Sequence, residues 1–126
     1  MSDATHEDAI LVVQLAQLYA QLNGARAAGF IWREDFPEAF DEFNRRYPPG
    51  SDEMVYVQTI AGFNETVATL WKHGLINEDL LTDWLAIHAT WDRLKNVLLG
   101  MREVSGEPRL WENFEALAEK AVAPTR

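Results

Sequence analysis

The chain has 126 residues, enough for one domain with a shared interior, since a chain of this size buries roughly two thirds of its unfolded surface. It contains no cysteine, which excludes disulfides, thiolate catalysis and cysteine-ligated metal or iron–sulfur sites. Eleven Lys and Arg against 20 Asp and Glu give a net charge of -9, and the basic residues stand singly or as the pair Arg45-Arg46, so neither nucleic acid nor an anionic membrane surface is an expected partner.

The opening residues, Met1 to Asp8, are polar and acidic, unlike a secretory signal. The apolar run Ala9-Ile10-Leu11-Val12-Val13 stops at Gln14, short of the roughly 20 apolar residues a bilayer span requires, and a cytoplasmic location is expected. Thr5 with Asp8 has the spacing of a reciprocal helix cap. Leu11, Leu15, Leu18 and Leu22 then form one helical stripe, widened by Ile10 and Val13, so this first helix is expected to be substantially buried. Asn23-Gly24 can end it, because both residues tolerate the left-handed conformation. Alternatively the helix continues through Ala25-Arg26-Ala27-Ala28 to the neighbourhood of Arg33, and the pattern leaves both open.

Asp35 with Glu38 reads as the next cap, with Pro37 in the first turn and Phe36, Phe40, Phe43 and Tyr47 on one aromatic face. Pro48-Pro49-Gly50 stops that helix. Ser51 caps a third, with Met54, Val57, Ile60, Ala61, Val67 and Leu70 inside and Gly62 in the middle, where a close neighbour or a bend is expected. Lys72-His73-Gly74 closes it. Asn77 caps a fourth helix that Ile76 and Leu81 can staple. Its pattern runs through Trp84, Ile87, His88, Trp91, Leu94 and Leu98 to Met101, about 36 Å if straight, and should form an antiparallel hairpin with the third. Ser105-Gly106-Glu107-Pro108 breaks the chain, and a last helix shows Leu110, Trp111, Phe114, Leu117 and Ala118 before fraying through Pro124. No segment alternates with a period of two. The expected fold is a single all-α domain, with its core at about residues 5–121, built as a compact bundle of about five helices around a central antiparallel helical hairpin.

Reactive groups are few. Of the three histidines, His88 shares a helical face with Asp92, and Glu65 from the facing helix would complete a metal-binding trio. The repeated carboxylates and Glu-x-x-His pairs of a two-metal bundle are missing, so no metal site, cofactor or catalytic residue is assigned. Asp79 and Asp83 lie beside a helix start, where carboxylates stay ionised. There is no Gly-x-Ser-x-Gly elbow, Walker loop or dinucleotide fingerprint.

Aromatic residues carry the remaining interest, with five tryptophans in the chain. Trp32, just before a helix cap, is a candidate interface residue with Phe36 and Phe40 as companions. Trp71, Trp84, His88, Trp91, Arg93 and Trp111 are candidates to line a pocket between the third, fourth and fifth predicted helices. Arg93 is expected to pair with a carboxylate on the same helix or on the last one, such as Glu112 or Glu115, or else to hold an anion.

The run Phe63-Asn64-Glu65 with Leu70-Trp71, then Gly74-Leu75-Ile76-Asn77 with Asp79-Leu80-Leu81, then Trp91, Arg102, and Trp111 before Asn113-Phe114-Glu115-Ala116-Leu117 resembles a bacterial helical family known as domain of unknown function 4760. The resemblance spans roughly residues 53–120, about the C-terminal two thirds. It implies a helical fold and no particular reaction. Members of that family often have a membrane-spanning segment at the front, which this sequence does not display.

Three functions follow in order. The first is a non-enzymatic helical interaction or assembly module that pairs with itself, as a homodimer, or with another protein, through the aromatic surface near Trp32 and Phe36 or along the long fourth helix. The second is a small-molecule binding bundle with a tryptophan-lined pocket. The third is a hydrolytic or metal-dependent enzyme using His88 and a carboxylate.

Overall fold

The computed structural model describes residues 3–121, and among them it has seven helices and no strand. The all-helical class follows the periodicity, while the number of helices is larger than the expected five because two of the long patterns divide. The fraying expected through Pro124 falls outside the described residues.

Helix α1, His6–Gln21, starts at the predicted box: Thr5 accepts from the Asp8 backbone at 3.1 Å and Asp8 accepts from the Thr5 backbone at 2.8 Å. It ends at Leu22, and Asn23 takes the left-handed conformation with φ 59°. Helix α2, Gly24–Ile31, begins at the next residue, so the chain both breaks and resumes where the sequence left two options. Gly24 is required there because the Tyr19 ring occupies the space a Cβ would take.

Helix α3 is confined to Phe40–Arg46. The cap expected at Asp35 does not form, because the Asp35 carboxylate is held by Arg33 at 3.0 Å and lies 3.7 Å from Arg46. Residues 32–39 instead fold as turns that drop Phe36 into the interior, where its ring lies 5.5 Å from Phe30 and 5.8 Å from Phe43.

Helix α4, Asp52–Lys72, starts on the Ser51 cap and is the axis of the bundle, with Met54, Val57, Ile60, Ala61, Phe63, Asn64, Val67 and Ala68 buried. It runs unbroken through Gly62, and no neighbour approaches that glycine. Its C-end is a Schellman turn: Gly74, at φ 70°, donates to the Trp71 carbonyl and Leu75 donates to the Leu70 carbonyl at 2.9 Å.

The expected long fourth helix is two, α5 (Glu78–Trp84) and α6 (Ile87–Ser105), separated by Leu85 in extended conformation. The cause is phase. At about 100° per residue a continuous helix would point Leu81 roughly 110° away from the stripe of Ile87, Trp91, Leu94 and Leu98. The break brings Leu81 and that stripe into the core together, Leu81 at 0 % and Ile87 at 2 % exposure. Helix α7, Glu112–Lys120, closes the bundle.

The expected central hairpin is replaced by a layered arrangement. Helix α4 lies chiefly between α2 and α7, α7 also packs on α6, and α3 covers α6. Helix α1 rests on α2 at the periphery and buries only Leu15, so its expected burial is not met; Leu11, Val12 and Leu18 pack partly against the core, and Ile10 and Val13 face outward.

Candidate functional site

Four of the polar side chains that matter most are engaged in tying helix ends together. The α7 helix begins after Trp111, itself in the left-handed region at φ 65°, and has no side-chain cap of its own. Glu65 of α4 supplies one: its Oε1 accepts from the backbone amides of Asn113 at 3.1 Å and Phe114 at 2.9 Å. Asp8 extends beyond its own box to accept from the Asn77 amide at 3.0 Å, joining the starts of α1 and α5. Trp71 donates its indole N–H to Glu78 at 2.8 Å.

Arg93 does the converse job at a helix C-end. Its Nε donates to the Ile31 carbonyl at 2.6 Å and its Nη2 donates to the Arg33 carbonyl, while Trp32 and Phe36 lie 5.5 and 5.2 Å from the guanidinium carbon. The carboxylates expected to pair with it are taken by other arginines, Glu115 by Arg102 at 2.9 Å and Glu112 by Arg109 at 2.8 Å.

The candidate pocket residues separate accordingly. Trp91 is buried with its ring 5.1 Å from Phe114, and Trp71 is half-buried on Glu78. His88 is exposed on α6, and Asp92 pairs with Lys95 at 3.0 Å, which holds its carboxyl below the usual range. With Glu65 committed to α7, the trio His88, Asp92 and Glu65 is not assembled, and no group of three or more His, Asp or Glu among the described residues is placed to hold a metal. Asp79 and Asp83 are both exposed.

Trp84 is the one predicted pocket tryptophan that lines the first of two concavities. This space, about 290 Å³, lies between α1, α2, α4 and the α5–α6 junction, and Trp32 of the predicted interface borders it too. Tyr19 and Asn64, neither of them among the predicted pocket residues, contribute polar atoms to it together with Thr90. A signal for Asn64 was present: it is the polar member of the inward stripe Ile60, Phe63, Val67. The second concavity, about 530 Å³, is a shallow groove where Phe40 and Trp111 meet Met54, Val55, Met101 and Val104.

The predicted interface trio is likewise divided. Trp32 is 51 % exposed under Arg93, Phe36 is in the core at 5 %, and Phe40 is half-buried against Gly100. The surface the sequence did not single out is the outer side of α1. Ile10 and Val13 are 59 % and 58 % exposed there, and no charged residue occurs between Asp8 and Arg26. No helix of the described residues is long and apolar enough to cross a membrane.

No curated protein and no solved structure shows significant similarity to the chain. A family match, by contrast, covers residues 4–121, reaching through the N-terminal helices as well as the region 53–120 that carries the resemblance in sequence. The chain therefore belongs to the family described as domain of unknown function (DUF4760).

Proposed function

We propose that this protein is a helical assembly module that pairs with a second copy of itself through the outer face of α1. The observation that carries the reading is the combination of exposure and missing charge on that face. Sixteen residues of helix bury one side chain, Leu15, and leave Ile10 and Val13 in water. Exposed aliphatic side chains clustered on one helix face mark contact surfaces.

Charge selects the partner. At -9 the molecule repels its own copies over most of its surface, and the stretch from Ala9 to Ala25 is where two copies meet without opposing carboxylates. A two-fold pairing makes the face self-complementary, with the small side chains of Ala9 and Ala20 permitting close approach of two helices. The earlier expectation of an assembly role thus moves from Trp32, Phe36 and Phe40 to α1.

Sedimentation velocity over a concentration series tests it. The wild-type chain is expected to shift from monomer to dimer in the micromolar range, and Val13→Glu, which sets like charges against each other across a two-fold, is expected to stay monomeric with unchanged helical circular dichroism. A wild-type protein that remains monomeric at the highest attainable concentration, or a V13E variant that dimerises as well as wild type, removes the proposal.

A further inference from the structure

We infer that the concavity between α1, α2, α4 and the α5–α6 junction binds a small neutral molecule with an apolar, ring-sized body and one hydrogen-bond donor. It is separate from the outward side chains of α1, so it stands or falls independently of self-association.

The donor requirement comes from Asn64, the one buried polar residue of the described core, at 7 % exposure. Its Nδ2 donates to the Ile60 carbonyl at 2.9 Å, which fixes the orientation of the amide. Oδ1 is left as an acceptor on the cavity wall, and no protein donor reaches it among the described residues. That oxygen is open to solvent in the concavity rather than sealed without a partner, and a ligand N–H or O–H can take the place of water on it.

The body of the ligand is set by the walls. Tyr19 meets Phe63 edge-on at 5.0 Å, and Phe63 meets Trp84 edge-on at 6.2 Å, forming one aromatic wall that Ile60, 3 % exposed, continues. A volume of about 290 Å³ sits at the small end of the roughly 300–1,000 Å³ typical of ligand pockets, which suits a single ring better than a nucleotide or a peptide.

Neutrality follows from the lining. In a chain of which 25 % of residues are charged, no Asp, Glu, Lys, Arg or His lines this space. Burial also pushes the Tyr19 hydroxyl above the ordinary phenol range, so it stays protonated. A charged ligand would lose its hydration and find no counter-charge. The break between α5 and α6 takes part as well, since Leu85 and Ala86 form a section of the wall.

The test is titration of the ¹⁵N-labelled full chain with phenol, toluene and benzoate, following the Asn64 amide and Trp84 indole signals by NMR. Phenol is expected to give saturable shifts at both, toluene weaker ones at Trp84, and benzoate none. Asn64→Leu, which keeps the size and removes the acceptor, should weaken phenol on the order of three- to tenfold, the worth of one hydrogen bond, and leave toluene unchanged. Ala86→Phe, at an exposed rim position that does not disturb the core, should abolish binding of both and decides the matter alone if the Asn64 variant does not fold. Absence of saturable shifts with phenol and toluene, benzoate binding equal to phenol, or unchanged phenol affinity in A86F would each overturn the inference.

Discussion

Glu65 on α4 holds the start of α7 through the Phe114 amide, 2.9 Å from its Oε1, across a separation of 49 positions in the chain. The helix it caps has no cap of its own and carries Phe114 and Leu117, both fully buried. Removing the carboxylate in Glu65→Ala leaves two amides of a partly buried helix start without an acceptor. We expect a loss of about 1–2 kcal/mol in urea unfolding. Glu65→Gln keeps an acceptor and should lose less. Amide exchange at Asn113 and Phe114 should accelerate in E65A before exchange at α4 does, and equal acceleration in both helices would contradict the assignment.

Asp8 predicts a pH dependence. The Thr5 backbone amide above all, then the Thr5 hydroxyl and the Asn77 amide, hold its carboxyl below the usual aspartate range against the opposing effect of desolvation. A folded value depressed below the unfolded one of about 3.9 stabilises fully above that unfolded value, and the contribution disappears as pH falls through the folded value. The melting temperature of Asp8→Asn should therefore lie below wild type by a constant amount well above the unfolded value of about 3.9, with the gap closing as pH falls below it. A gap independent of pH across that window would show that the charge of Asp8 contributes nothing.

These two carboxylates also mark where sequence reading stops. The caps at Thr5, Ser51 and Asn77 were legible because each side chain meets an amide three residues on, within its own turn. The Lys72-His73-Gly74 ending was legible because it is equally local, a glycine in the left-handed region whose turn is closed by backbone bonds to the last helical carbonyls. Glu65, Arg93 and the second bond of Asp8 act on ends far away in sequence, and nothing local announces them. The division at Leu85 carries no proline or glycine; it appears only when the phases of Leu81 and Ile87 are compared against a shared core. The site was legible in part. Trp84 was singled out as a pocket residue and Trp32 as an interface residue, but Tyr19 and Asn64 join them only because α1 and α4 approach each other.

Arg93 offers a test of whether the α2 end is held by shape as well as charge. Its fork spans the Ile31 and Arg33 carbonyls while its face lies near Trp32 and Phe36. Lysine supplies the charge but neither the planar fork nor the stacking. Arg93→Ala should cost about 2 kcal/mol in urea unfolding, and Arg93→Lys should recover less than half of that. Because both carbonyls already occupy the guanidinium, phosphate should neither bind saturably nor quench Trp32 fluorescence. Full recovery in R93K would reduce the contact to simple charge on the helix dipole.

Two glycines with the same helical backbone should respond in opposite directions. A Cβ at Gly100 of α6 would run into Cβ and the inner ring carbons of Phe40, atoms too near the backbone to swing aside, whereas a Cβ at Gly62 of α4 meets nothing within 4 Å. Gly62→Ala should therefore stabilise by about 0.5–1 kcal/mol, since the helix gains propensity and the unfolded chain loses freedom. Gly100→Ala should lose about 1–3 kcal/mol through overpacking despite the same gain in propensity. Phe40→Leu in the G100A background should restore part of the loss, because the obstruction is the ring. Paired urea melts measure all three, and a stabilising G100A would mean that α3 does not sit against α6 at this point.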